Sequence, residues 1–329
     1  MQCLRTKKIN MSTVTTGIPS VDLSKFTSGN PAHKAEFVQE LGKAFHEVGF
    51  VAVTNHGVPQ DLIDKFFGAA NSFFALPTET KLKAQIPGLA GQRGYTAFGI
   101  EHAKQSEVAD LKEFFQIGQE VTDGDTTAED YPPNVEVPEN PVFPQLGREL
   151  YSAFENAGKA LLQAIAIYLD LDENYFDKYV NNGNSILRAI HYPPITQAPK
   201  SAIRAEQHED IDLITLLVGA SADGLELQDE AGTWVPIKAG IGAIVINVGD
   251  MLQRLTNNYL KSTTHRVVNP PKERWHEPRL SIPFFLHPRS EMDLTCLEKC
   301  VTTDNPLNFE PITAGEYLDE RLREIGLKK

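Results

Sequence analysis

The stretch Glu206-Gln207-His208-Glu209-Asp210 decides how this chain is read. His208 and Asp210 stand two residues apart, and on an extended strand alternate side chains project from one face. An imidazole and a carboxylate would then point the same way. A second imidazole follows much later, in Lys261-Ser262-Thr263-Thr264-His265-Arg266-Val267. The chain has nine histidines, so a lone His-x-Asp pair arises easily by chance. What comes after His265 adds weight. Arg279-Leu280-Ser281 is another i, i+2 pair. Arg279 can grip a carboxylate through two parallel hydrogen bonds, and Ser281 can add a third.

Two histidines and one carboxylate can occupy one face of an octahedral metal and leave the opposite positions open. His208, Asp210 and His265 therefore suit iron(II). The same side chains could also hold zinc or form a structural cluster. Leu280, Ile282 and Phe284 would face away from Arg279 and Ser281, into packing.

Outward from these stretches the chain divides into parts of different texture. Residues 1–17 read as a disordered tail, with Met1 or Met11 as the start. Residues 18–185 read as a mixed, helix-rich region. Phe37, Leu41, Phe45 and Val48 recur at helical spacing, so a helix is expected over 35–48, ended by Gly49. Further helices are expected over 59–74, 77–83 and 146–170, the last a long backbone helix. The acidic, proline-rich stretch 121–144 reads as a connection. From residue 186 short β runs take over: 186–192, 213–218, 225–228, 233–236, 243–248, 264–268 and 280–286. Turn signals such as Asp223-Gly224 and Pro270-Pro271 separate them. Many short strands at this spacing predict a jelly roll over 186–290. Residues 291–329 form a C-terminal segment whose amphipathic helix, 313–327, is expected on the outside.

The net charge of −13 argues against general nucleic-acid binding, and no apolar run approaches membrane-spanning length. Three cysteines give no disulfide framework, which favours a reducing, cytoplasmic setting. The expected partner is a small molecule, met by a monomer.

The sequence resembles the isopenicillin N synthase-like branch of the 2-oxoglutarate/Fe(II)-dependent dioxygenases, roughly from Ile18 to Leu286. The likeness rests on Ile18-Pro19-Ser20-Val21-Asp22-Leu23 and on Phe45-His46-Glu47-Val48-Gly49-Phe50 with Thr54-Asn55-His56-Gly57. It continues in Tyr192-Pro193-Pro194, His208-Glu209-Asp210, Asn247-Val248-Gly249-Asp250, His265-Arg266-Val267 and Arg279-Leu280-Ser281. The resemblance implies a mainly β fold with flanking helices, built on a double-stranded β-helix (jelly-roll) core. It implies Fe(II), 2-oxoglutarate and dioxygen as requirements, with ascorbate as an activator. His208, Asp210 and His265 are carried over as iron ligands. Arg279, Ser281 and Tyr192 are carried over as the clamp on the distal carboxylate of 2-oxoglutarate.

Many family members carry asparagine where this chain has Ile190, so one polar contact to the co-substrate is missing or replaced. Arg188 shares the alternating face of Tyr192 and is a candidate for a second carboxylate contact. Arg93 and Tyr95 sit where the family places substrate contacts, and Phe285 is a candidate pocket wall. No catalytic side chain is expected beyond the metal centre. The implied activity is oxidation, foremost hydroxylation, of a small molecule, with succinate and carbon dioxide released. Two rivals stand beside it: an oxidase of the same branch that uses no 2-oxo acid, and a non-catalytic jelly-roll module that binds a metal or small ligand.

Overall fold

The computed structural model describes residues 17–89, 91–101, 108–122, 124–199, 201–218, 223–240 and 242–324. Residues 1–16 of the expected tail, with the question of the start, lie outside them, as do 325–327 of the expected last helix. The first half supplies β1 (Ser20–Asp22), α1 (Leu23–Thr27), α2 (Pro31–Glu47), β2 (Phe50–Thr54), α3 (Gln60–Phe74), α4 (Thr78–Leu82), β3 (Gly94–Thr96), β4 (Glu113–Gly118), α5 (Val142–Tyr168) and α6 (Asp177–Val180). The second half supplies β5 (Ile186–Tyr192), β6 (Ala205–His208), β7 (Ile214–Val218), β8 (Leu225–Gln228), β9 (Trp234–Pro236), β10 (Ile244–Val248), α7 (Asp250–Leu255), β11 (His265–Val267), β12 (Arg279–Leu286) and α8 (Ala314–Glu324).

Helix boundaries follow local chemistry. Asn30 caps α2 by accepting from the backbone N–H groups of Ala32 and His33, and Pro31 takes the first turn, where no N–H is needed. Gly49 ends the helix at φ +75°, where a Cβ would lie 2.3 Å from the Lys261 carbonyl oxygen. The long helix α5 starts at Val142, earlier than the apolar spacing predicts. Pro144 is tolerated there because the first-turn N–H groups have no partner inside the helix.

Two sheets form the core. The larger runs β1-β2-β10-β7-β12-β5-β4-β3, and the smaller runs β6-β11-β8-β9. Only β1 and β2 pair in parallel; every other neighbouring pair of named strands is antiparallel. Strands from the helix-rich half thus extend both edges of the large sheet. Leu280, Ile282, Phe284 and Leu286 point into the main apolar core, with Phe154, Leu161 and Leu162 of α5. The Phe154 and Phe284 rings stack at 5.6 Å. Alternation therefore sends Arg279, Ser281, Pro283 and Phe285 to the opposite face, which lines a cavity of about 710 Å³ between the two sheets. This is the expected jelly-roll core with flanking helices. The last helix is not simply external: Tyr317, Leu318 and Arg321 also line the cavity.

Candidate metal centre and cavity

His208 closes β6 and His265 opens β11, and the two residues pair across the ladder. Their rings lie 4.4 Å apart, tilted by 55°. Asp210 lies two residues beyond the end of β6, in the segment that leads to β7. The carboxylate reaches the imidazoles from two residues past the strand end. Asp210 Oδ1 lies 3.8 Å from His208 Nε2 and 3.7 Å from His265 Nε2. One ligand atom from each residue falls within 4.8 Å of the other two.

Neighbouring groups fix which atoms face the common point. Nδ1 of His208 donates to the Glu206 carbonyl at 2.7 Å, and Nδ1 of His265 donates to the Thr263 carbonyl at 3.1 Å. Both Nε2 atoms are therefore left as acceptors, which is what a metal needs. Asp210 Oδ2 accepts from Thr215 Oγ1 at 2.7 Å and from Asn247 Nδ2 at 2.8 Å, leaving Oδ1 to the imidazoles. Burial opposes the charge of Asp210, but the imidazoles of His265 and His208 and these two donors hold its carboxyl below the usual range. Burial and the adjacent His265 push His208 down to about 4, so the ring is neutral at pH 7. Burial, with the charge of Asp210 beside it, pushes the Asp212 carboxyl well above its ordinary value. The Thr215 hydroxyl lies within donating distance of both carboxylates, 2.7 Å from Asp210 Oδ2 and 2.8 Å from Asp212 Oδ2.

Farther along the same sheet face, Arg279 stands opposite Tyr192 and Ser281 opposite Ile190. The Arg279 guanidinium is 1% exposed and lies 4.9 Å from the Tyr192 ring centre. Ile190 packs with Phe114, Tyr192, Ala205 and Val267 into an apolar floor. The position is thus filled by packing, with no polar contact from its side chain.

Arg188 also lines the cavity. Its Nε donates to Gln116 Oε1 at 2.7 Å, and its Nη1 lies 3.3 Å from Glu101. Its guanidinium sits 4.2 Å from the Phe114 ring and 5.2 Å from the Phe285 ring. Lys112 bridges Glu101 at 2.7 Å and Asp110 at 2.8 Å, and Asp110 accepts the Glu206 N–H at 3.0 Å. A buried polar chain therefore ties the metal-bearing strand β6 to the wall that carries Arg188. Burial works against the Glu101 charge, yet Lys112 and Arg188 pull its carboxyl down to about 2.

Two expected contacts do not reach this cavity. Arg93 is 1% exposed, and its guanidinium lies flat on Gly118, where a Cβ would come 1.9 Å from Cζ. Gly118 leaves the space that the arginine fills. Tyr95 is buried with its hydroxyl bonded to Glu113, whose carboxylate also takes Lys81 and His191. Strand β3 points Tyr95 at the helices, edge-on to Phe73. Gln92, next to Arg93, does line the cavity.

The chain matches two family models: "non-haem dioxygenase in morphine synthesis N-terminal" over residues 18–140, and "2OG-Fe(II) oxygenase superfamily" over residues 183–288. The chain belongs to the 2OG-Fe(II) oxygenase superfamily. A 2-oxoglutarate-Fe(II) type oxidoreductase of Emericella nidulans, hxnY, is 31% identical, over 92% of this chain and 88% of the relative. A proline hydroxylase of Petromyces alliaceus, buaE, is 32% identical, over 93% and 98%. Among solved structures, a 2OG-Fe(II) oxygenase family protein from Caulobacter crescentus superposes with a TM-score of 0.85 at 44% identity, covering 94% of this chain and 100% of that one. A full-length Neurospora crassa protein solved in complex with alpha-KG gives 0.81 at 31%, covering 93% and 96%.

As a member of this superfamily, the protein is a 2-oxoglutarate-dependent dioxygenase that requires Fe(II), 2-oxoglutarate and dioxygen. These relatives favour that reading over the oxidase and the non-catalytic module. The donor set fits the metal: two imidazoles with oriented Nε2 atoms and one carboxylate oxygen. Among the described residues, no helix is long and apolar enough to cross a membrane. Sequence reading missed Thr215, Glu101, Lys112 and Gln116. Glu101 and Gln116 act on Arg188, far along the chain, and Thr215 acts on Asp210 across a loop, so no spacing pattern marks them.

Proposed function

We propose that the protein hydroxylates a small polar molecule at a C–H bond, releasing succinate and carbon dioxide from 2-oxoglutarate. The observation that carries this reading is one cavity that is lined by the metal ligands, the Arg279–Ser281–Tyr192 group and Arg188 together. His208, Asp210 and His265 would hold the iron. When bound, the metal supplies the activation of dioxygen that is coupled to decarboxylation of the 2-oxo acid. Arg279 and Ser281 take the distal carboxylate, with the Tyr192 hydroxyl beside them. Asn247 and Thr215 keep Asp210 charged and oriented. Arg188 and Phe285 face the primary substrate.

Two observations support a flat, polar substrate. The wall around Arg188 offers Gln116, Gln92, Glu101 and Lys112 as hydrogen-bonding groups, with the Phe285 ring next to them. The Neurospora crassa protein, 30% identical in these complexes, has also been solved with alpha-KG and thymine, and with alpha-KG and 5-formyluracil. Thymine and 5-formyluracil are therefore the first compounds to test. We read residues 186–290 as the oxygenase core, 18–185 as its support and 291–329 as a C-terminal segment, of which Phe309, Tyr317 and Arg321 help to line the cavity. Cys296 and Cys300 are buried and unbridged, which supports a cytoplasmic setting.

The test incubates the iron-loaded protein with 2-oxoglutarate, ascorbate and each candidate, and measures succinate and the oxidised product. Succinate release stimulated by one compound, matched by one oxygen atom gained in that compound, is the expected result. Product formed without succinate would overturn the reading.

A further inference from the structure

Arg204 stands immediately before β6, and its side chain is 1% exposed. Its guanidinium lies 5.9 Å from the centre of the Tyr192 ring, the ring that Arg279 approaches to 4.9 Å. Two buried guanidinium groups thus share one phenol. Arg204 Nη2 donates to the Glu277 backbone carbonyl at 2.8 Å, and Nε has no hydrogen-bond partner. Among the described residues no carboxylate forms an ion pair with Arg204. The Glu277 side chain is turned to Arg274, 2.8 Å away. Burial and the nearby Arg279 push the Arg204 guanidinium down to about 10, so it stays charged at pH 7.

The Glu277 carboxylate offsets part of the charge from a distance, but burying a guanidinium with no ion-paired carboxylate is costly, and a second like charge nearby adds to the cost. An anion at this end of the cavity would offset both charges. Ala205, which lines the cavity, follows Arg204 directly and packs against Tyr192. Arg204 is thus not part of the cavity lining, but its guanidinium lies beside the Tyr192 ring, which is.

We propose that Arg204 is a positioning residue for the co-substrate: acting through Tyr192 and beside Arg279, it raises the positive potential where the distal carboxylate binds. It thereby selects a 2-oxo acid with a second carboxylate over one with a neutral tail. This rests on the assignment of Arg279 and Ser281 to that carboxylate.

The test compares two probes, 2-oxoglutarate and 2-oxopentanoate, which has the same chain length but no distal carboxylate. Each is titrated anaerobically into the Fe(II)-loaded protein, and binding is followed by the visible charge-transfer absorption. The wild type must prefer 2-oxoglutarate; equal affinity for both acids would defeat the co-substrate assignment itself. Given that preference, Arg204→Gln should reduce it by about tenfold, as expected for one charge removed at this range in a partly screened interior. Arg204→Lys should restore most of it. Arg204→Met, which keeps the apolar stem, replaces the glutamine variant if that does not fold. A purely structural arginine would weaken both acids alike, so an unchanged preference in the folded variant overturns the proposal.

Discussion

Asn247→Leu probes how the metal site is held. Asn247 is 3% exposed on β10, opposite Thr215 on β7. Its amide donates to Asp210 Oδ2 at 2.8 Å, beside the 2.7 Å bond from Thr215. Leucine has nearly the shape of asparagine but no donor, so packing is retained while one of the two bonds on Oδ2 is lost. A hydrogen bond to a charged group is worth about 1.5–3 kcal/mol. At about 1.4 kcal/mol per factor of ten, iron affinity should fall by about 10–100-fold. The assay is anaerobic Fe(II) titration against a competing chelator, with thermal unfolding of the metal-free protein as the folding control. The affinity of the iron-loaded variant for 2-oxoglutarate should change little, because Arg279 is untouched. A folded variant that binds iron as tightly as the wild type would refute the role given to Asp210 Oδ2.

Further outcomes test other parts of the account. Arg279→Gln removes a charge-assisted pair worth about 1.5–3 kcal/mol and should weaken 2-oxoglutarate binding by about 10–100-fold in an anaerobic titration, with iron affinity unchanged. Burial pushes His287 from its ordinary 6.5 down to about 4. The unfolded chain then binds more protons between those values, so the stability of the metal-free protein is complete above pH 6.5 and falls as pH drops towards 4. The loss amounts to at most about 3 kcal/mol from this residue, and denaturant melts of His287→Gln should show a flatter pH profile in that window. At Gly42 on α2 a Cβ would meet the Tyr168 ring at 2.1 Å. Gly42→Ala should therefore cost about 1–3 kcal/mol in a denaturant melt without changing iron affinity.

The sequence made some elements readable because their information is local. Apolar residues at three and four spacing marked α2, α3 and α5, and β-branched runs marked β5, β7, β10 and β12. The His-x-Asp and Arg-x-Ser pairs identified the residues that converge on the cavity, although Asp210 lies just past the end of its strand. Strand β4 was not legible. Its run Glu113–Gly118 is buried on both faces, so it has no polar alternation to reveal it. Arg93 and Arg204 could not be placed either. The space for Arg93 is made by Gly118, and the setting of Arg204 by Tyr192 and Glu277, all outside the local stretch of chain.

The most direct test of the central claim is a crystal structure of the protein with Fe(II) and 2-oxoglutarate, grown without oxygen, with anomalous data at the iron edge. The account predicts one peak bounded by His208 Nε2, His265 Nε2 and Asp210 Oδ1, and a co-substrate carboxylate on Arg279 and Ser281. An iron peak away from those three atoms, or a 2-oxo acid that leaves Arg279 untouched, would contradict it.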